Sequence, residues 1–117
     1  KIRAKRISND FEQLNTVIGI IATDAPLNRM QLKRMSIMCH GSISRSIHPS
    51  HTPMDGDTIF AISTSDKSND VSEEISKLDL TIISSIASDT FSRACNRAIF
   101  EAKNIGGKPS WKDLFEN

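Results

Sequence analysis

The chain has 117 residues, with 15 basic against 14 acidic side chains and a net charge of +1 at neutral pH. That length allows one domain, and that balance excludes a strongly charged nucleic-acid binder. A hydrophobic share of 38% supplies only a small core, since a domain of this size buries about two-thirds of its unfolded surface.

Four of the basic groups, Lys1, Arg3, Lys5 and Arg6, fall in the first six residues and read as a solvated end rather than a nucleic-acid arm. The chain opens without Met, so we read it as a piece of something longer. Residues 8–15 have no sustained period and read as a connector, so residues 1–15 form a lead-in to an α/β segment over 16–117. Thr16-Val17-Ile18-Gly19-Ile20-Ile21-Ala22 is apolar on both parities, which predicts a strand covered on both faces. Asp24-Ala25-Pro26 follows as a turn, with the proline suited to the first turn of a helix. From Leu27 to Ile47 the set Leu32, Met35, Cys39, Ile43 and Ile47 recurs every three or four residues, an amphipathic helix. It must end before His48-Pro49, because a residue preceding proline is pushed out of the α region.

Residues 48–56 carry two prolines and a glycine and form a loop. Asp57 to Thr64 reads as a second strand, with Ile59, Ala61 and Ser63 on one face and Phe60 and Ile62 on the other. A polar linker spans 65–77. A second long helix runs from an N-cap at Asp79 to Asn104 on the stripe Leu80, Ile83, Ala87, Phe91, Ala94, Ala98 and Ala102, and Gly106-Gly107 stops it. Trp111 anchors the tail. Two strands alone do not make a stable sheet, so the segment requires strands from elsewhere, either an upstream part of a longer chain or another copy.

Cys39 and Cys95 are too few for a disulfide framework and lie on apolar helical stripes, so both are expected as buried free thiols rather than nucleophiles. No apolar run approaches the ~20 residues that span a bilayer, and no apolar region follows the basic start as a signal peptide requires. A cytoplasmic location and no membrane partner are expected. His40 adjoins Cys39 on a helix, and His48 and His51 flank a proline, without the third ligand that a metal site needs. We expect no metal and no cofactor.

Two features remain. Asp55-Gly56-Asp57-Thr58 places two acids one glycine apart where a loop becomes a strand. Such a pair serves either to bind a cation, hold an amine or orient a hydroxyl, or to cap a turn in which the glycine takes a positive φ. Asn15-Thr16 stands at the head of the first strand. A strand-initial Thr freed at its α-amine, with a pKa near 8, carries nucleophile and base in one residue.

These residues resemble a family. Asn15-Thr16, Ile20-Ile21-Ala22-Thr23-Asp24-Ala25 and His51-Thr52-Pro53-Met54-Asp55-Gly56-Asp57-Thr58-Ile59-Phe60-Ala61 are similar to the C-terminal, nucleophile-bearing part of the DmpA-type aminopeptidases and nylon-oligomer hydrolases. The resemblance takes in the helix ending Ser44-Arg45-Ser46-Ile47 and covers nearly all of residues 14 to 104. It implies a self-processing hydrolase that cuts its own chain between Asn15 and Thr16. Thr16 would then act as nucleophile through an acyl-enzyme, and Asp55 and Asp57 would hold its amine and hydroxyl in place. It implies a layered α/β sandwich (αββα), two sheets with helices outside, to which this chain supplies β-α-β-α. It also implies a partner in a larger N-terminal segment, a homo-oligomer, and a peptide or amide substrate. In the family the remaining groups of the site lie in that segment, so the isolated chain is expected to be a poor enzyme. Two other readings stay open: a catalytically silent, self-associating module, and ornithine acetyltransferase-like acyl transfer.

Overall fold

A computed structural model describes residues 16–66 and 75–115. The basic start, the connector with Asn15, and most of the polar linker lie outside the described residues. The element order is β1 (Ile18–Thr23), α1 (Arg29–Ser46), β2 (Thr58–Ser63), α2 (Lys77–Glu101) and the short α3 (Trp111–Phe115). This is a mixed α/β arrangement, as the hydrophobic periods predict.

β1 and β2 pair in parallel, from Ile18 opposite Thr58 to Thr23 opposite Ser63. Parallel neighbours need a long crossover, and α1 provides it. The ladder continues past both ends, where Thr58 N donates to Val17 O at 2.8 Å and Thr64 N to Thr23 O at 2.9 Å. α1 packs along α2 and over β2, and α2 reaches β1.

The helices start where side chains satisfy their first amides. Asn28 caps α1, accepting from the Met30 and Gln31 amides at 3.0 Å each, while the Gln31 side chain accepts from the Asn28 amide at 2.9 Å. That reciprocal cap sets the start at Arg29, so Pro26 lies outside the helix rather than in its first turn. α2 is capped by Ser76, three residues before the expected Asp79. Asp79 instead occupies the third helical position, donating its amide to Ser76 Oγ at 3.0 Å. The same helix ends at Glu101 with Ala102 as C-cap, short of the glycine pair, whose φ values of 61° and 77° belong to the turn that follows.

The core is one cluster of Ile21, Leu27, Met35, Cys39, Ile43, Ile59, Ala87 and Phe91. The α1 stripe is therefore buried as its spacing requires. The α2 stripe faces inward at Ala87 and Phe91, but from Ala94 onward it drifts off the core, and Ala94, Ala98 and Ala102 are exposed. Gly19 is required by Phe91, since a Cβ there would run into the aromatic ring.

Within the described residues the two strands are covered on one face only. Gly19, Ile21, Ile59 and Ala61 turn toward the helices, while the other face carries Ile18, Ile20, Phe60 and Ile62 at 73%, 62%, 57% and 42% exposure. The described residues hold one helical layer, which covers one side of a two-stranded sheet. Trp111 anchors α3 to α2 by a ring contact with Phe100 at 5.5 Å and packs within α3 on Phe115 at 5.3 Å, though it stays 41% exposed. Among the described residues no helix is long and apolar enough to cross a membrane.

Candidate active site

Thr16 and Val17 lead into β1, and Gly56 and Asp57 lead into β2. Because the strands are parallel and in register, these two ends meet. Both backbone groups of Val17 are held by the second strand's lead-in. Its amide donates to Asp57 Oδ1 at 3.0 Å, and its carbonyl accepts from the Thr58 amide at 2.8 Å. The carboxylate thus fixes the residue next to Thr16 across forty positions of chain.

Gly56 makes room for this approach. A Cβ at that position would lie 3.1 Å from Thr16 Oγ1, closer than ordinary van der Waals contact. Gly56 is not among the residues with positive φ, so the turn does not use it for the backbone freedom that its sequence context suggested. Its value is its missing side chain.

The two acids take different roles. Asp55 Oδ2 accepts from the Thr52 amide at 2.7 Å, and the Asp55 amide donates to Thr52 O at 3.0 Å. Asp55 therefore closes the loop on itself, the turn-capping arrangement that its spacing permits. Asp57 is the acid that reaches across to the strand of Thr16. Its side chain is only 6% exposed, so its charge is sheltered from water by the loop.

Asp57 Oδ2 lies 3.0 Å from Nδ1 of His51 and accepts no aligned hydrogen bond among the described residues. His51 adopts φ 56°, a left-handed backbone uncommon outside glycine. Its Nε2 lies 3.1 Å from the carbonyl oxygen of His40, and the two imidazoles are 5.6 Å apart. His51 is the residue that reading the sequence for metal ligands passed over. The available signal was its place four residues before Asp55 in the same compact string.

From Thr16 an open groove of about 510 Å³ runs along the outer edge of β1, walled by Phe91, Ala94, Cys95 and Ala98 of α2. The drift of the α2 stripe off the core is what opens it. Burial pushes the Cys39 and Cys95 thiols above their ordinary value, for Cys95 against a smaller opposing hydrogen bond to its backbone, so neither is poised as a thiolate. Among the described residues no group of three or more His, Cys, Asp and Glu side chains is placed to hold a metal ion.

Comparison with known proteins gives the chain's family. The family model described as peptidase family S58 matches residues 1–111. An uncharacterized aminopeptidase of Mycobacterium tuberculosis is 35% identical over 107 residues, covering 86% of this chain and 31% of that protein. An uncharacterized aminopeptidase of Mycobacterium leprae is 31% identical over 116 residues, covering 94% of this chain and 32% of that protein. A 6-aminohexanoate-oligomer endohydrolase of Paenarthrobacter ureafaciens is 38% identical over 61 residues, 52% of this chain and 17% of that protein. No solved structure matches the chain. The chain thus spans about a third of the length of the aminopeptidases it resembles. With a family match that takes in the first strand, the histidine-to-aspartate loop and both long helices, the chain belongs to peptidase family S58.

Proposed function

We propose that this chain is the nucleophile-bearing part of a self-processing amidohydrolase or aminopeptidase, with Thr16 as nucleophile. The observation that carries the reading is the meeting of the two strand heads. Thr16 Oγ1 rests against Gly56, and the next amide, that of Val17, is fixed by the sheltered carboxylate of Asp57. The names of the relatives, aminopeptidase and oligomer endohydrolase, support amide hydrolysis as the reaction class.

In the first step Thr16 Oγ attacks the Asn15 carbonyl carbon and the Asn15–Thr16 C–N bond breaks. The chain passes through an ester, which water hydrolyses to leave a carboxylate on Asn15 and a free amine on Thr16. In turnover the same oxygen attacks a substrate amide while the Thr16 amine takes its proton. That proton passes to the departing amine, and water then releases the acyl group. An α-amine with an ordinary pKa of about 7.7–8.0 suits a base working near neutral pH. Asp57 acts by holding the start of β1, and Asp55 by holding the loop that carries Asp57.

The rest of the site comes from a larger N-terminal segment of the longer protein. The exposed face of Ile18, Ile20, Phe60 and Ile62 supports a second layer there, as in a sandwich of two sheets. Residues 16–117 then form the processed small subunit, and the isolated chain is a poor catalyst because the donors that stabilise the oxyanion, each worth about 3 kcal/mol, lie in the other segment. Substituting Thr16 in the longer protein tests the assignment. Thr16→Ala abolishes both chain cleavage and amide hydrolysis, whereas Thr16→Ser keeps both; cleavage that survives Thr16→Ala moves the nucleophile elsewhere.

A further inference from the structure

We infer that His51 is a positioning residue for the reaction proposed above, acting through Asp57 to hold the backbone next to Thr16. The inference rests on that reading of Thr16 and goes beyond it, since it assigns a role to a residue outside the nucleophile and the acidic pair.

Three observations converge on the imidazole. Its Nδ1 stands 3.0 Å from Asp57 Oδ2, while the other oxygen of that carboxylate receives the Val17 amide at 3.0 Å. Its Nε2 stands 3.1 Å from His40 O on α1. And the backbone at His51 is left-handed, with φ 56°, a conformation unfavourable for a residue with a side chain. The ring is thus strung between a helix carbonyl and the carboxylate, and the loop adopts an unfavourable backbone to put it there. Nε2 is in hydrogen-bond contact with the His40 carbonyl, and Nδ1 stands at ion-pair distance from Oδ2 without an aligned hydrogen bond.

The mechanical consequence is specific. A carboxylate held through one oxygen pivots about that contact. With His51 against Oδ2, Asp57 is held from two sides, and so is the Val17 amide that it receives. The charged and titratable groups facing the imidazole are Asp57 and the His40 ring, 5.6 Å away. The Asp55 carboxylate is turned to the Thr52 amide instead.

Two isosteric substitutions test this in the longer protein that carries the chain. Asn and Asp both tolerate the left-handed backbone. Asn puts an N–H donor near the place of Nδ1, whereas Asp puts an oxygen there against the Asp57 carboxylate. The expected result is that His51→Asn cleaves at Asn15–Thr16 and hydrolyses amides within about threefold of wild type. His51→Asp should lose about 100-fold in kcat, the scale of a misplaced reacting group, with KM little changed. Should His51→Asp not be recovered folded, His51→Gly, which accepts the same φ, takes its place and is expected to lose as much. Wild-type rates in His51→Asp or His51→Gly overturn the inference, as does an equal loss in His51→Asn and His51→Asp at unchanged melting temperature. Thr16→Ala run alongside separates the two levels. If it still cleaves, the nucleophile assignment fails; if it is silent while His51→Asp behaves as wild type, only the role of His51 fails.

Discussion

A single methyl group at position 56 would meet the Thr16 hydroxyl oxygen at 3.1 Å, and Gly56 has no left-handed backbone to lose. Gly56→Ala is therefore expected to change stability by less than about 1 kcal/mol while slowing chain cleavage at least tenfold, because a small displacement of the attacking oxygen weighs heavily on rate. Melting temperature and cleavage rate of the same variant check the two halves. In α3, the Asp113 carboxyl is held below its ordinary value of 3.8, first by the Ser110 amide and then by the Ser110 hydroxyl. A lowered carboxyl stabilises the fold fully above that ordinary value and ceases to as pH falls through its lower folded value. Trp111 fluorescence, reporting α3, should hold steady from neutral pH to the ordinary value, then change below it, and Asp113→Asn should flatten the response. At this scale the sequence offered Thr16 at a strand head and Asp55 and Asp57 in one short string as candidates. The separation of their roles was not legible. Two acids one residue apart in a turning backbone face different partners, and only the loop geometry decides that Asp55 turns to Thr52 and Asp57 to Val17. His51 was hidden for the same reason, since its reach depends on a backbone conformation that its own side chain disfavours.

Elements were legible wherever a long period met a strong local signal. Met35, Cys39 and Ile43 are fully buried because α1 keeps its stripe over its whole length, and the helix ends at Ser46, ahead of His48-Pro49 as expected. The boundaries depended on caps that residue type alone does not rank. Asn28 prevails over Pro26 because Gln31 completes the reciprocal pair, and Ser76 over Asp79 because its hydroxyl reaches the third amide. The second half of the α2 stripe was misleading, since alanines at helical spacing mark where something can approach, not that it does. Two substitutions separate cap from core. Asn28→Ala is expected to cost about 1 kcal/mol, and Met35→Ala about 2–5 kcal/mol through the cavity it leaves, both read from denaturant midpoints. Where α1 meets α2, Ser46 Oγ contacts Ser92 Oγ at 2.8 Å and Arg45 reaches Ser88 at 3.0 Å and Asp89 at 3.0 Å. The Arg45–Asp89 pair is solvent-exposed and adds little stability, so it serves alignment more than cohesion.

For the whole molecule, one helical layer lies over one side of a two-stranded sheet, and four large apolar side chains face outward on the other. Both-face apolarity was readable in the strands; which side this chain covers itself was not, because that depends on where α1 and α2 dock. In the isolated chain this face is expected to drive concentration-dependent association, read by sedimentation velocity. The pair Ile20→Lys and Phe60→Lys should disperse it at little cost in melting temperature, since these side chains are already 62% and 57% exposed. A wild-type chain that stays monomeric at every concentration counts against the face as a buried layer of a larger assembly. The chain's share of its relatives, about a third of their length, points the same way. The most direct measurement of the central claim is the intact mass of the longer protein after prolonged incubation. The account predicts two polypeptides, one ending at Asn15 and one beginning at Thr16 with a free α-amine; a single uncut polypeptide, or a cut at any other bond, contradicts it.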